Sequence, residues 1–291
     1  MTDNGMKSIY QKRTRIGDNV LKALIYLAAG VAIALLVGIM GYVFVRGLPQ
    51  VSWQFLSTVQ SSLKGTFGIL GNIINTIYII VITLIIAAPI GIGSAIYLNE
   101  YAKPGKLVRT IEFTTEILSG IPSIIFGLFG MVFFGMTLKF GYSVLTGSFT
   151  LTLMVLPLIT RNTQEALKTV PDSYRSGALG IGATKWYMIR TILLPSAAPG
   201  ILTGVILSIG RIVGESAALL FTAGSGFQLP KNLFGKLFES SGTLTIQLYL
   251  SMQKAKYDQA FGIAVVLLII VLGINLLTRF LTSRFDVTKL K

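Results

Sequence analysis

Charge-free apolar runs recur along the chain and carry its strongest pattern. The gaps between charged residues give Ala23 to Val45, Asn72 to Leu98, Ile117 to Leu138, Gly141 to Thr160, Ile192 to Leu220 and Gln259 to Thr278. Each reaches the ~20 residues that a helix needs to cross the hydrocarbon core of a bilayer. The fifth alone is interrupted by charge, at Arg211 and Glu215. The expected architecture is all-α: a polytopic membrane protein with six transmembrane helices over 23–278. A tail over 1–22 precedes it, a long loop over 161–191 interrupts it, and a tail over 279–291 follows it. The first run follows a tail too long for a signal-peptide n-region and exceeds a signal-peptide core, so it reads as a retained span.

Composition agrees: 53% of the 291 residues are hydrophobic and 12% charged, against about 25% charged in soluble domains. With no Cys and no His there is no disulfide framework, no Cys or His metal site and no histidine general base. No phosphate-cradling G-x-x-x-x-G-K-[ST] string is present, so nucleotide hydrolysis would need another subunit. The expectation is a non-enzyme with no metal and no cofactor of its own.

The net charge of +14 has a topological explanation. Seventeen of the 25 Lys and Arg residues fall in the two tails and in the loops over 99–116 and 161–191, and seven fall on the opposite side. Positive residues accumulate on the cytoplasmic face, which places both termini there. Nucleic-acid binding would want a basic face on a folded soluble domain, and there is none. The outward loops over 46–71 and 221–258 are long enough for short surface helices.

The remaining basic residue, Arg211, lies four positions from Glu215, a spacing that on a helix puts both side chains on one face and lets them pair. Ionisable residues at membrane depth are costly and face a bundle interior or a wet cavity. A guanidinium fork suits a tetrahedral oxyanion, which points to an anion pathway. A structural ion pair that fixes helix register is the alternative, and Glu215 as a proton carrier is a third reading. The same span holds Gly200 with Gly204 and Gly210 with Gly214, small residues at the spacing that lets helix backbones approach closely. Pro122 removes a helix hydrogen bond in the third span and marks a kink or hinge.

The loop over 161–191 exceeds an ordinary helix connector. A helix from Asn162 is expected to end near Pro171, with a second capped by Asp172 or Ser173. Its Tyr174, Ala178 and Leu179 form a small apolar ridge. Thr184 is placed to cap a third helix, with Trp186 and Tyr187 suited to the membrane interface.

The string Gly182, nine residues, Ile192, one residue, Leu194-Pro195 resembles the second half of the signature loop of ABC importer permeases. The first half departs from that pattern, with Ser176-Gly177-Ala178 in place of Glu-Ala-Ala. Four longer strings are similar to the A-type permease family of phosphate ABC importers: Ser119 to Gly127, Thr169 to Tyr174, Gly182 to Trp186, and Gly210 to Ala223. The resemblance implies a subunit that forms half of a phosphate pathway in the plasma membrane of a prokaryote. Its implied partners are a homologous C-type permease, a dimeric cytosolic ATPase that binds ATP and Mg, an extracytoplasmic phosphate-binding protein and the lipid bilayer. It carries Arg211 and Glu215 over as pathway residues, and Ser173, Tyr174, Ser176, Gly177, Ala178, Leu179 and Gly182 as the ATPase-docking loop. Sulfate, molybdate or phosphonate import, or an ion-coupled secondary carrier, are the alternative functions.

Overall fold

The structure, a computed structural model, describes residues 16–61, 66–229, 232 and 234–284. The ends of both expected tails lie outside the described residues. Helix α1, Ile16–Gly47, belongs almost wholly to a compact unit ending at Arg46. It is apolar along its length, and near its end the Arg46 guanidinium sits 5.8 Å from the Tyr42 ring.

The second unit begins at Gly47. A short helix α2, Trp53–Ser57, is capped by Ser52 Oγ, which accepts from the Phe55 N–H at 3.2 Å. An antiparallel hairpin of β1, Val59–Ser61, and β2, Thr66–Ile69, then leads into α3, Leu70–Ile96, which runs on through a π-helical turn at Tyr97–Tyr101. Next come α4, Lys106–Gly120, and α5, Ser123–Gly130, the latter continuing as a π-helical segment to Thr137. Helix α6 is Val144–Lys168, α7 is Asp172–Gly180 and α8 is Lys185–Met188; a π-helical turn joins α8 to α9, Leu194–Gly214. Helices α10, Ala217–Thr222, α11, Leu244–Gln253, and α12, Tyr257–Arg284, complete the chain.

Five helical segments are long and apolar enough to cross a membrane: Gly17–Gln50, Leu70–Tyr101, Val144–Lys168, Lys185–Gly214 and Tyr257–Leu277. A sixth exists if α4 and the helix after it count as one span, although they meet at 102°. The third span expected over 117–138, with its kink at Pro122, starts earlier than the charge gaps suggest and bends at that proline. Pro122 (φ −57, ψ 138) sits outside both helices, because its ring denies the N–H that a continuing helix needs. Its neighbours Ile117 to Gly120 finish α4 instead. The fourth expected span also changes. Helix α6 does not stop at Thr160 but continues to Lys168, past the first charge. Leu220, the expected end of the fifth span, lies beyond a helix break.

Helix α6 is the centre of this unit, with 67% of its apolar window buried. Its Leu151, Val155 and Ile159 pack with Ile79 of α3, Val213 of α9 and Leu219 of α10. Hydrophobic transfer does not drive helix association in lipid, where packing and interhelical polar contacts dominate. The interior carries hydroxyls satisfied within their own helix: Thr150 Oγ1 donates to the Thr146 carbonyl and Thr152 Oγ1 to that of Ser148, each at 2.8 Å.

The Gly200 and Gly204 pair behaves as its spacing predicts. A Cβ at either position would fall 2.6 Å from the Cβ of Ala166 or Asn162 on α6. Gly210 and Gly214 are exposed, and a Cβ added at either would meet nothing within 4 Å among the described residues. The N-terminus of α3 fastens the 224–243 segment. Asn72 Nδ2 donates to the Gly242 carbonyl at 2.9 Å, Asn75 Nδ2 to that of Gly226 at 3.1 Å, and Thr76 Oγ1 accepts from the Leu244 N–H at 3.0 Å.

Gly204→Leu is expected to cost about 1–3 kcal/mol by overpacking α9 on α6, whereas Gly210→Ala is expected to stay within ~0.5 kcal/mol. Thermal unfolding of the detergent-solubilised protein reads the difference, and equal melting temperatures for the two variants would contradict it.

Candidate functional site

Three helices enclose a cleft of about 450 Å³ lined by Arg211 of α9, by Glu112, Thr115, Glu116 and Ser119 of α4, and by a stripe along α6. The α4 residues lie at i, i+3, i+4 and i+7, one helix face. The α6 stripe has Met154, Pro157 and Leu158 at one end and Arg161, Gln164, Glu165 and Lys168 at the other. At 1.5 Å per residue it extends over roughly 20 Å. Arg211, Arg161 and Lys168 thus share a cavity with Glu112, Glu116 and Glu165. Arg161 Nε meets Glu165 Oε1 at 3.3 Å, but both side chains are 63% exposed, so this pair holds little energy. Among the described residues Arg211, Lys168, Glu112 and Glu116 form no ion pair.

The expected pairing of Arg211 with Glu215 is corrected. Helix α9 ends at Gly214 and Glu215 takes an extended conformation (φ −80, ψ 126), so the four-residue helical spacing no longer aligns the two side chains. Glu215 Oε1 instead accepts the Ala218 N–H at 3.0 Å, at the start of α10, and its carbonyl accepts from Thr245 Oγ1 at 2.8 Å. A carboxylate at a helix N-terminus satisfies an orphan donor and meets the positive end of the dipole. Arg211 faces the cleft half-buried, and Glu215 is not among the residues lining it.

The loop over 161–191 is built around one guanidinium. Arg175 of α7 donates through Nη2 to Glu100 Oε1 at 3.0 Å and through Nε to the same oxygen at 3.3 Å. Nη1 reaches the Val170 carbonyl at 2.9 Å and Asp172 Oδ1 at 3.0 Å, and Nη2 also reaches the Leu167 carbonyl at 2.9 Å. The fork therefore closes carbonyls that the end of α6 leaves without intrahelical partners. It also pairs with a carboxylate whose side chain is only 4% exposed. The hydrogen bond that Arg175 donates to Glu100 raises the Arg175 pKa above its ordinary value. A raised cation stabilises the fold fully below its unfolded pKa and loses that contribution only as pH climbs through the folded value. Arg175 therefore keeps its charge at every pH a cell meets.

Asp172 is the first residue of α7, and no side chain caps that helix; its carboxylate turns to Arg175. Ser173, Tyr174, Ser176, Gly177, Leu179 and Gly182 are all exposed. Ala178 is not: it is buried with Ala166, Leu167, Val170, Met188 and Ile189. The expected ridge thus divides, with Tyr174 and Leu179 outward and Ala178 packing α7 onto its own protein. Gly182 (φ +85) ends the turn, where its N–H donates to the Leu179 carbonyl. Thr184 caps α8 as expected, its Oγ1 accepting from the Tyr187 N–H at 3.3 Å. Gly200, Gly204, Gly210, Gly214 and Pro122 lie outside the cleft lining.

Sequence reading did not single out Arg161, Lys168, Glu112 or Glu116. The available signal was the 3.6-residue stripe from Met154 through Pro157, Leu158 and Arg161 to Lys168, which runs across the point where charge first appears.

Arg175→Ala leaves the buried Glu100 carboxylate without its cation, with the Asn99 amide still donating to Oε1 at 2.7 Å, a loss expected to be about 3–5 kcal/mol. Adding Glu100→Gln is expected to recover more than ~1 kcal/mol of it. Thermal unfolding of the two single variants and the double variant measures that recovery, and strictly additive losses would contradict the clamp.

Comparison with known proteins identifies the family and the fold. The family described as "Binding-protein-dependent transport system inner membrane component" matches residues 87–288. The chain is 35% identical over 282 residues to the "Probable ABC transporter permease protein YqgI" of Bacillus subtilis, covering 92% of this chain and 95% of that one. It is 33% identical over 285 residues to the "Phosphate transport system permease protein PstA" of Mycobacterium leprae, covering 94% and 91%. Among solved structures, a chain of a bacterial alginate ABC transporter crystallised with its pentasaccharide-bound periplasmic protein superposes with a TM-score of 0.70 at 16% identity, covering 93% and 96%. A chain of the inward-facing MetNI methionine ABC transporter gives 0.56 at 21%, covering 75% and 94%. At these identities the structures speak for the fold alone. With its multi-pass membrane architecture, the chain belongs to the binding-protein-dependent transport system inner membrane components, the permease family of ABC importers.

Proposed function

We propose that this chain is the A-type permease subunit of an ATP-driven phosphate importer and that phosphate passes through the cleft beside Arg211. The observation that carries this reading is the meeting of Arg211, Arg161 and Lys168 in one cavity, in a chain similar over nearly its whole length to a protein named for phosphate transport. A guanidinium fork matches the geometry of a tetrahedral oxyanion and stays charged throughout the working pH range. The carboxylates in the same cleft keep it from being a deep anion trap, because phosphate meets cations and competing acids together. Such a site binds weakly enough to release.

ATP hydrolysis belongs to a separate subunit, and ATP and Mg are bound there. The exposed face of α7, with Ser173, Tyr174, Ser176, Gly177 and Leu179, is the surface we assign to that ATPase, and Gly182 shapes the turn that follows it. Ala178 supports the surface from beneath. A homologous C-type permease completes the pathway, and an extracytoplasmic phosphate-binding protein delivers the substrate on the opposite side. The excess of Lys and Arg in alternate loops supports cytoplasmic termini in the cell membrane.

Arg211→Gln in the reconstituted transporter is expected to lower phosphate uptake at least ~tenfold, the loss of one charge-assisted hydrogen bond. Glu215→Gln keeps an acceptor for the Ala218 N–H and is expected to transport within about threefold of wild type, while Glu215→Ala loses the cap at about 0.5–2 kcal/mol. Undiminished uptake by Arg211→Gln would overturn the pathway. For the docking surface, Gly177→Leu points a side chain into space that is open in this chain. It is expected to lower ATPase co-purification and phosphate-stimulated hydrolysis, and normal values of both would count against the assignment.

A further inference from the structure

Tyr101 ends the apolar span that begins at Leu70, and Lys185 begins the one that ends at Gly214. The two meet. Lys185 Nζ lies 5.0 Å from the centre of the Tyr101 ring, and Ile96, just before the π-helical turn that ends at Tyr101, packs with Met188 and Ile189. Two span ends in contact mark the level at which the hydrocarbon stops. The excess of Lys and Arg in the flanking loops supports the cytoplasmic side for it.

Cations and aromatic rings collect at this level. Lys103 follows Tyr101 by two residues, at most about 7 Å of chain, and Trp186 follows Lys185; all four side chains are exposed. Lys106 opens α4 on the face that carries Phe113 and Ile117, at i, i+7 and i+11. These three are exposed and none of them lines the cleft. Nearby acids do not offset the lysines: Glu100 is taken by Arg175, and Glu112 and Glu116 line the cleft from another face of α4. Aromatic rings beside lysines suit the headgroup layer, where the ring lies at the glycerol level and the ammonium reaches the phosphates.

We propose that Tyr101, Lys103, Lys106, Lys185 and Trp186 form a binding site for an anionic phospholipid of the inner leaflet. Its headgroup keeps the phosphate charge that a zwitterionic lipid cancels, and its acyl chains lie along Phe113 and Ile117. The field of each lysine reaches roughly 8 Å at cellular ionic strength, so the three act together on one headgroup without a fixed chelating geometry. Tyr101 adjoins Glu100, so the bound lipid braces the end of α3 where Arg175 of α7 grips it. The site does not depend on which cargo the cleft passes.

The chain has two tryptophans, and Trp53→Phe replaces an exposed ring, leaving Trp186 as the reporter. The full-length Trp53→Phe chain is reconstituted in vesicles of equal parts phosphatidylglycerol and phosphatidylcholine. Bromine is carried on the acyl chains of one lipid or of the other, so that surface charge is the same in both. Quenching of Trp186 is expected to give phosphatidylglycerol a relative binding constant at least about fivefold above phosphatidylcholine, the effect of one lysine at an anionic surface. Lys103→Gln with Lys106→Gln and Lys185→Gln is expected to bring the two lipids level. Lys185→Gln alone is expected to lower the preference part of the way, and it carries the test if the triple variant does not reconstitute. Equal quenching by the two lipids in the parent chain would overturn the site, as would a preference that the lysine substitutions leave unchanged. Inorganic phosphate added at constant ionic strength is expected to leave the preference in place. Its loss there would give the surface to the free anion and overturn the lipid.

Discussion

The last two turns of α6 bear on both ends of the chemistry. Their outer stripe, Arg161, Gln164, Glu165 and Lys168, forms one wall of the charged cleft. Their inner face, Ala166 and Leu167, is buried beneath α7, and the Leu167 carbonyl accepts from Arg175. A helix is stiff over such a distance, and packed interiors shift between discrete arrangements more readily than they deform. Any displacement of α7 therefore reaches the cleft wall through one continuous helix. The Glu100 pair matters for the same reason. It ties α7 to the end of α3 as well, so two membrane helices follow the loop.

Backbone satisfaction sets the second constraint. In hydrocarbon every N–H and C=O must find a partner within the protein, and two helix breaks among the described residues lie against the packed core, at Pro122 and at Glu215 with Ser216. At Glu215 and Ser216 the break is closed by the Glu215 carboxylate on the Ala218 N–H and by Thr245 on the Glu215 carbonyl. At Pro122 the missing donor is the proline's own, and the Pro122 carbonyl accepts from Ile125 N–H as α5 begins. The break after α9 sets Arg211 apart from Glu215. The guanidinium left without an acid partner is the one that faces the cleft.

Much of this was legible in the sequence. Charge-free gaps located the apolar segments, because a bilayer penalises ionised side chains whatever the helix does around them. The Gly200 and Gly204 spacing found its packed neighbour, and Thr184 found its cap. Pro122 announced its kink because a proline lacks the N–H a helix needs, though not the 102° size of the turn, while the stop at Gly214 was hidden inside a stretch that read as a single span. The pairing of Arg211 with Glu215 failed for that reason: i,i+4 adjacency presumes a helix that here ends one residue too soon. Arg161 was hidden by the opposite error. It looked like the first residue of a loop, because a charge was taken to end the span, while α6 carried it onward on the same face as Met154 and Leu158. The acids of α4 need a tertiary neighbour before they mean anything, and no local pattern supplies one.

The central claim is that phosphate occupies the space between α4, α6 and Arg211. The chain contains no cysteine, so a single Ser119→Cys on the cleft wall gives one thiol to follow once any cysteines of the other subunits have been replaced by serine. The rate at which a charged methanethiosulfonate reagent modifies that thiol is the direct measurement. Phosphate at concentrations that saturate ATPase stimulation is expected to slow modification several-fold. A rate unaffected by phosphate at those concentrations would contradict the account.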